Sequence, residues 1–321
     1  MKKFITLFLA LILLTLTACA NTDERNLVLI PDGFKGLSVN YLDVGNSNAV
    51  FIKLPDGKTM LIDSGEYTEN NCAYIKSVLL DNAERIDYLV VSNPSDRQLG
   101  NAFWIADDYE ISKAFVPYIK DGTLFPTFNA VYQKLISKSV DITVSDYTRN
   151  IKGEDYFIGF LAPLPFELED SEYNDLATET NPDSDKIHGV SAVVYLEYKG
   201  VRFLFTSNAS QKTERVILDN YGSGLYDICF GKGKINLDKI DFLMVSNHGS
   251  NNATCLDFLS LVKPRNAIIS VGTNYYGYPS TTVINRLFSS NVDLSLYRTD
   301  LNGTVTALVD SDGEYLVKSA S

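Results

Sequence analysis

The first third of the chain alternates between short apolar runs and turn residues. Three strands are predicted in succession, at Val39 to Leu42, Ala49 to Leu54 and Thr59 to Ile62, with a turn at Pro55-Asp56-Gly57. Apolar residues at helical spacing predict a helix from about Glu69 to Asp81, and a strand follows at Tyr88 to Val91. This order favours two sheets packed face to face and flanked by helices.

The second half repeats this plan. Strands are predicted at Ala192 to Leu196, Arg202 to Phe205 and Phe242 to Val245, with a helix around Gln211 to Asn220 before the last strand. The strand that closes each half has nearly the same sequence, Ile86-Asp87-Tyr88-Leu89-Val90-Val91-Ser92-Asn93 and Ile240-Asp241-Phe242-Leu243-Met244-Val245-Ser246-Asn247. The chain is therefore interpreted as two copies of one structural unit within a single domain.

Glu167 to Lys186, between the two halves, is rich in acidic and small polar residues. This composition is typical of an exposed loop. A lid over a cleft is the alternative interpretation, since long loops are often functional.

The N-terminal segment has the pattern of an export signal. Lys2 and Lys3 precede an apolar run from Phe4 to Leu16, and Leu16-Thr17-Ala18-Cys19 has the form of a lipobox, in which the cysteine is lipidated. An ordinary cleavable signal or a membrane helix are alternatives, but the run is shorter than the ~20 residues of a comfortable span. We therefore predict a signal peptide at 1–18, a lipidated Cys19 with its tether at 19–36, and the domain at 37–318.

The chain is acidic, with a net charge of −12, and loss of Lys2 and Lys3 with the signal makes it more so. An acidic protein repels phosphate backbones unless it carries a basic groove, and the sequence has no run of Lys and Arg that would form one. Nucleic acid is therefore not an expected partner.

Six motifs occur in a fixed order along the chain. They are Leu42-Asp43-Val44-Gly45-Asn46-Ser47-Asn48-Ala49, Leu61-Ile62-Asp63-Ser64-Gly65, Ser92-Asn93-Pro94-Ser95-Asp96-Arg97-Gln98-Leu99-Gly100, Thr206-Ser207-Asn208-Ala209, Ser246-Asn247-His248-Gly249-Ser250, and Tyr297-Arg298-Thr299-Asp300 with Asn302-Gly303-Thr304-Val305. Together they resemble the metallo-β-lactamase family, and most closely the extracellular hydrolase-like domain of ComEC-type competence proteins. The resemblance implies an α+β fold, a four-layer αββα sandwich in which the ends of the two repeated strands meet at one edge.

The resemblance also implies a dinuclear zinc or manganese site, but this chain lacks its usual ligands. The four ligand positions of the family's H-x-H-x-D-H motif are Asn93, Ser95, Arg97 and Gln98. The family's bridging aspartate corresponds to Asn208, and two further histidines correspond to Asn247 and Tyr278. Neutral oxygen donors and a permanently charged guanidinium are poor zinc ligands, so we expect no metal here.

Arg97 is the most unusual of these substitutions. A guanidinium at a vacated metal position would pair with Asp63, and loss of a buried pair costs ~3–5 kcal/mol. A solvated Arg97 on the surface is the alternative.

Asp63 and His248 are the remaining candidate catalytic residues. His248 has the chemistry of a general acid or base, but a hydrogen-bonded structural histidine is the more common case. Ser95 or Ser250 would need such a base to act as a nucleophile, and a triad of His248, Ser250 and Asp63 stays open.

Three further sets of residues carry structural predictions. Tyr275, Tyr276 and Tyr278 would stack on a sugar or peptide at a cleft edge, or pack into the core. Asp43, Gly45, Asp63 and Gly65, and later Gly277 and Gly303, indicate turns. A disulfide between Cys229 and Cys255 is one option outside the cytoplasm.

Two functions of different classes are therefore expected. The first is a lipid-anchored, extracytoplasmic protein with a metal-free, non-catalytic domain that binds an unidentified ligand or protein partner in the former active-site cleft. The second is an active hydrolase of phosphodiesters or other esters, with an unusual or single-metal site at His248 and Asp63.

The lipobox gives a direct prediction. The wild-type protein is expected to fractionate with membranes and to incorporate labelled fatty acid, whereas Cys19→Ser is expected to do neither, because the acylated thiol is gone. Cys72→Ser is the matched control and should behave as wild type. Equal fractionation of all three proteins without lipid label would contradict the anchor.

Overall fold

The computed structural model describes residues 30–119, 125–164, 184–222, 225–228 and 233–320. Seventeen strands lie in these ranges. They are Leu37–Tyr41 (β1), Val50–Lys53 (β2), Thr59–Ile62 (β3), Ile86–Val90 (β4), Ile111–Val116 (β5), Asp141–Val144 (β6), Asn150–Lys152 (β7), Tyr156–Ala162 (β8), Val193–Tyr198 (β9), Val201–Phe205 (β10), Leu225–Ile228 (β11), Gly233–Asn236 (β12), Phe242–Met244 (β13), Asn266–Ile269 (β14), Ser295–Arg298 (β15), Val305–Val309 (β16) and Tyr315–Ser319 (β17).

Helices fill most connections between these strands. They are Glu69–Asn82 (α1), Asp96–Leu99 (α2), Ala102–Asp108 (α3), Pro126–Ser137 (α4), Ser184–Gly189 (α5), Gln211–Tyr221 (α6), Leu256–Val262 (α7), Thr281–Ser290 (α8) and Thr299–Asn302 (α9), with a 3-10 turn at Ser246–Gly249. Across the described parts of the chain, every helix is too short or too polar to cross a membrane.

The strands form two large mixed sheets and one hairpin. One sheet has the order β17-β16-β1-β2-β3-β4-β5-β6, the other β15-β14-β13-β10-β9-β8-β7, and β11 pairs with β12. Aromatic contacts such as Phe115 on Phe160, with ring centroids 4.9 Å apart, and Tyr41 on Phe205 join the two sheets. Each such buried side chain contributes ~1.5–3 kcal/mol to the free energy of unfolding.

The outer face of each sheet is covered by helices. Ile75 and Leu79 of α1 are buried in one cluster with Leu61 and Leu89 of the first sheet. The helices α6, α7 and α8 cover the second sheet in the same way through Ile217, Phe258 and Leu287. The predicted four-layer αββα sandwich is therefore confirmed. All the strands and helices predicted from the apolar pattern are present, and their observed ends differ from the predicted ends by no more than two residues.

The two halves are equivalent in detail. The β3–β4 pair and the β10–β13 pair are both parallel. Asp87 at the start of β4 accepts a hydrogen bond from the backbone N–H of Thr59, at 2.9 Å, and Asp241 before β13 accepts one from that of Arg202, at 3.0 Å. The sequence repeat is thus a repeat of one hydrogen-bonded unit.

Some predictions fall outside the described residues. The signal peptide at 1–18, Cys19, most of the tether, Cys229 and the greater part of the acidic segment 167–186 belong to this group. The predicted turns are confirmed, because Gly45, Gly65, Gly277 and Gly303 all have positive φ.

The repeated aspartates generate a stability prediction. Asp241→Ala should lower the free energy of unfolding by ~1–3 kcal/mol, because the buried N–H of Arg202 loses its acceptor. Asp219→Ala, at an exposed helical position, should change it by no more than ~0.5 kcal/mol. Urea unfolding measures both, and an Asp241→Ala variant as stable as Asp219→Ala would contradict the repeat's structural role.

Candidate functional site

Two strand ends define the candidate site. Ser92-Asn93 follows β4 and Ser246-Asn247 follows β13, and both asparagines reach the segment that begins with α5. The Nδ2 atom of Asn93 donates to the carbonyl of Ile187, at 2.6 Å, and to Oγ of Ser191, at 3.0 Å. Asn247 Nδ2 lies 3.4 Å from Nδ1 of His188. The two halves therefore hold the chain segment Ile187 to Ser191 between them.

The buried carboxylate of Asp63 connects the two halves through hydrogen bonds. It is 1% exposed, and its carboxylate accepts hydrogen bonds from the N–H and Oγ of Ser92, at 2.8 and 2.6 Å, and from Oγ of Ser207, at 3.2 Å. Burial raises the pKa of Asp63 to about 7, against the opposing effect of these three hydrogen bonds. Both carboxylate oxygens are thus occupied by serine donors.

Left-handed backbone is concentrated at this edge. Asp63, Ser207, Asn247 and His248 have φ values of 58°, 43°, 46° and 56°. Each non-glycine residue in this region costs of order 1 kcal/mol and persists only where its surroundings fix it. Such strain is typical of functional sites, where it directs side chains that regular structure would not bring together.

His248 is a second buried titratable group of the site. It is 2% exposed, and its Nδ1 atom lies 2.7 Å from the carbonyl oxygen of Ser270. Because a carbonyl only accepts, Nδ1 carries the proton and Nε2 presents a lone pair. Nε2 is buried and has no hydrogen-bond partner within the described residues. Burial lowers the pKa of His248 to about 4, assisted by the nearby charges of Arg97 and His188.

Arg97 and two tyrosines form one wall. An Arg97 guanidinium nitrogen donates to the hydroxyl of Tyr276 at 3.2 Å, and the guanidinium carbon lies 5.0 Å from the centre of that ring. The Tyr276 and Tyr278 rings stack with centroids 5.4 Å apart. Tyr275 is fully exposed and is not part of this wall.

These residues enclose a cleft of about 290 Å³ at the sheet edge. Its lining consists of Ser95, Arg97, His188, Asn208, Asn247, His248, Ser250, Asn252, Tyr276 and Tyr278. Six predicted site residues are therefore brought together, namely Ser95, Arg97, Asn208, Asn247, His248 and Tyr278. Asn93, Gln98 and Asp63 are buried and do not line it.

The chain matches competence proteins in sequence. The ComE operon protein 3 of Bacillus subtilis is 21% identical over 284 residues, an alignment that covers 83% of this chain and 32% of that protein. Competence protein ComA of Neisseria gonorrhoeae is 30% identical over 119 residues, covering 37% of this chain and 15% of ComA. The chain thus spans about a third or less of these relatives. No protein-family model matches it.

The fold also matches solved structures. CmlA, a diiron β-hydroxylase from Streptomyces venezuelae, superposes with a TM-score of 0.52 at 13% identity, over 86% of this chain and 54% of CmlA. A CmlA E377D mutant gives a TM-score of 0.51 at 12% identity, over 88% of this chain and 55% of that one. At this identity the likeness concerns the fold alone. The chain has a ComEC-like metallo-β-lactamase fold.

The metal positions of a ComEC-like site do not fit a dinuclear centre here. Asn93 bonds to protein atoms, and Asn208 accepts from Nδ2 of Asn48 at 3.1 Å. Gln98 is fully buried, and its amide has no partner among the residues that the structure describes. No cluster of three or more His, Cys, Asp or Glu residues able to hold a metal exists in the described ranges. The donor set is therefore neutral amides and hydroxyls with one guanidinium, which bind zinc poorly.

The predicted ion pair between Arg97 and Asp63 is wrong. Arg97 is half-buried and bonds to Tyr276, while the Asp63 carboxylate bonds to Ser92 and Ser207. The serines satisfy Asp63 without a cation, so the long Arg97 side chain extends along the cleft wall. A large loss of stability in Arg97→Ala is accordingly no longer expected.

The triad of His248, Ser250 and Asp63 is also not formed. Nδ1 of His248, which would need the carboxylate, bonds to the Ser270 carbonyl instead. His248 thus has no acidic partner to orient it as a base.

Two residues of the site were not found from the sequence. His188 lines the cleft. The sequence feature that could have indicated it is the rarity of histidine, because the chain has only two. Glu214 is fully buried under the His248 loop and accepts from Oγ of Ser246 and the N–H groups of Thr254 and Cys255. The sequence feature that could have indicated Glu214 is its position as a charged residue on the apolar face of α6.

Asp63 and His248 give opposite pH dependences. The folded-state pKa of Asp63 is raised to about 7, so its contribution to stability is present below its ordinary value of 3.8 and is lost as the pH rises toward 7. The folded-state pKa of His248 is lowered to about 4, so its contribution is present above 6.5 and is lost as the pH falls toward 4. The two slopes oppose each other in the wild-type protein.

Asp63→Asn removes one of these slopes. Between pH 4 and 6.5 its free energy of unfolding should increase with pH more steeply than that of the wild type, by up to ~1.4 kcal/mol per pH unit. Urea unfolding at several pH values measures the slope, and Asp219→Asn should keep the wild-type slope. An Asp63→Asn slope equal to wild type would show that the carboxyl titrates normally.

Proposed function

We propose that this chain is a lipid-anchored protein of the extracytoplasmic membrane face, with a metal-free, non-catalytic ComEC-like domain that binds a ligand in the former active-site cleft. The observation that carries this proposal is the replacement of metal coordination by protein hydrogen bonds. Asn93 holds the Ile187 to Ser191 segment, and Asn208 pairs with Asn48. The loops of the site are therefore joined without a cation.

Charge supports the same conclusion. A metal-binding site of this fold depends on carboxylate oxygens and histidine nitrogens that coordinate the cations. Here Arg97 and Asn208 occupy two acidic positions, so removal of the metals leaves no unpaired carboxylate among them. An isolated buried carboxylate would cost several kcal/mol, which explains why these substitutions occur together.

Ligand binding is supported by the cleft that remains. A structural relic would be expected to collapse or to satisfy its polar atoms. Instead the cleft has a volume of about 290 Å³, and the buried Nε2 atom of His248 lacks a partner in the described structure. As part of a residue that lines the cleft, this acceptor is available to a donor group of a ligand.

The anchor rests on the N-terminal sequence, since Lys2, Lys3, the apolar run and Leu16-Thr17-Ala18-Cys19 form the export and lipidation pattern. The relatives' names concern competence, and only about a third or less of their length corresponds to this chain. Their activities are therefore not carried over.

An active hydrolase with a single metal is the second candidate. The specific observation in its favour is the pair of histidines in the cleft, since a lone-pair nitrogen at His248 is a metal ligand type. Against it, the Asp63 carboxylate is held by serines.

Metal content separates the two candidates. The chain from residue 20 onward, produced with added zinc and manganese, should contain well under one metal per molecule after gel filtration. Its melting temperature should not fall with EDTA, because a metal bound to the folded state would otherwise add stability. Stoichiometric metal, or a large fall with EDTA, would establish the hydrolase alternative instead.

A further inference from the structure

We infer that the cleft ligand is an anionic sugar, a single polyol ring that carries one carboxylate or phosphate group. This inference rests on the proposed metal-free binding function and assigns its ligand class. Three independent features of the cleft support it: its charge, the buried acceptor at His248, and a lining without aliphatic side chains.

The charge of the lining is opposite to that of the protein. The whole chain has a net charge of −12, yet no Asp or Glu is among the described residues that line the cleft. Arg97 places a permanent positive charge there, and among the described residues its guanidinium donates to one neutral partner, the hydroxyl of Tyr276. A guanidinium without a carboxylate partner at a cleft wall is suited to a ligand anion.

The buried acceptor requires a donor on the ligand. Nε2 of His248 is unprotonated, because Nδ1 donates to Ser270, and it lies in a cleft-lining side chain that is 2% exposed. An anion alone offers only acceptors and would leave Nε2 unsatisfied. The ligand therefore combines an anionic group with at least one hydroxyl or N–H group.

The remaining lining selects hydroxyl groups over apolar ones. Asn208, Asn247, Asn252, Ser95 and Ser250 offer paired donors and acceptors, and no aliphatic side chain lines the described part of the cleft. The apolar side chains of a peptide would find no aliphatic partner in the described part of this lining, so the lining favours a sugar over a peptide. Tyr276 and Tyr278 are the aromatic residues of this lining, and their rings stack on each other.

The size of the cleft limits the ligand to one ring. Its volume of about 290 Å³ is at the lower end of the range for small-molecule sites, which is roughly 300–1,000 Å³. A single substituted pyranose is the expected size, and longer glycans would extend out of the open side.

The test uses glucuronate and glucose 6-phosphate as anionic probes, glucose as the neutral one, and N-acetyl-alanyl-alanine as an anion without hydroxyls. Binding to the chain from residue 20 onward is followed in EDTA by nitrogen-15 spectra of the two imidazoles. At least one anionic sugar should bind saturably and shift the Nε2 signal of His248. Glucose and the dipeptide should each bind at least about tenfold more weakly, since glucose lacks the anionic group and the dipeptide lacks the hydroxyl groups that the amide and serine lining selects.

Two variants complete the test. Arg97→Gln should reduce affinity for the anionic sugar to that for glucose, whereas Arg85→Gln, at the opposite end of β4, should leave it unchanged. No saturable binding of either anionic sugar, a preference for the dipeptide, or unchanged affinity in Arg97→Gln would each overturn the sugar assignment. Binding that is lost in EDTA and restored by zinc would instead overturn the metal-free function itself, so the two failures are distinguishable.

Discussion

The buried carboxylate of Asp63 is the interaction on which the site depends. It lies after β3 in left-handed backbone and binds the N–H and hydroxyl of Ser92 after β4, together with the hydroxyl of Ser207 after β10. These contacts join the two repeated halves at the edge where their strands end. In the family this edge surrounds metal ions, whereas here serine donors satisfy the carboxylate.

The other substitutions follow from that arrangement. In the proposed metal-free state, each of the family's ligand positions needs either a protein partner or removal of its charge. Asn93 and Asn208 have protein partners in the described structure, and Arg97 turns to the tyrosine wall. Gln98 and His248 are exceptions, because the buried amide of Gln98 and one nitrogen of His248 have no partner in the described structure, while the other His248 nitrogen bonds to Ser270. Nε2 of His248 belongs to a residue that lines the cleft, and this unsatisfied atom supports the binding of a ligand there.

The sequence predicts the frame well because the frame is encoded locally. The apolar runs of β1 to β4, the helical spacing of α1 and the repeated strands at Ile86 and Ile240 are each readable within about ten residues. The degenerate ligand positions follow from the motifs in the same way, and five of them line one cleft together with His248.

What the sequence misses depends on contacts between distant segments. Ser92 and Ser207 are 115 residues apart, yet both donate to Asp63, and this pairing makes Arg97 unnecessary there. His188 reaches Asn247 only because α5 crosses both strand ends. Neither the spacing nor the residue types near Arg97 or His188 show such contacts. The sequence therefore predicts an ion pair between Arg97 and Asp63 that does not form, and it does not predict that His188 lines the cleft.

The central claim is that this edge no longer binds metal, and the nitrogen-15 imidazole spectrum of His248 during zinc titration tests it most directly. The account predicts a neutral ring protonated at Nδ1, with an Nε2 signal that does not change when one equivalent of zinc is added. A saturable change in the Nε2 signal at one zinc per chain would contradict the account, because it would show that the lone pair of His248 is a metal ligand.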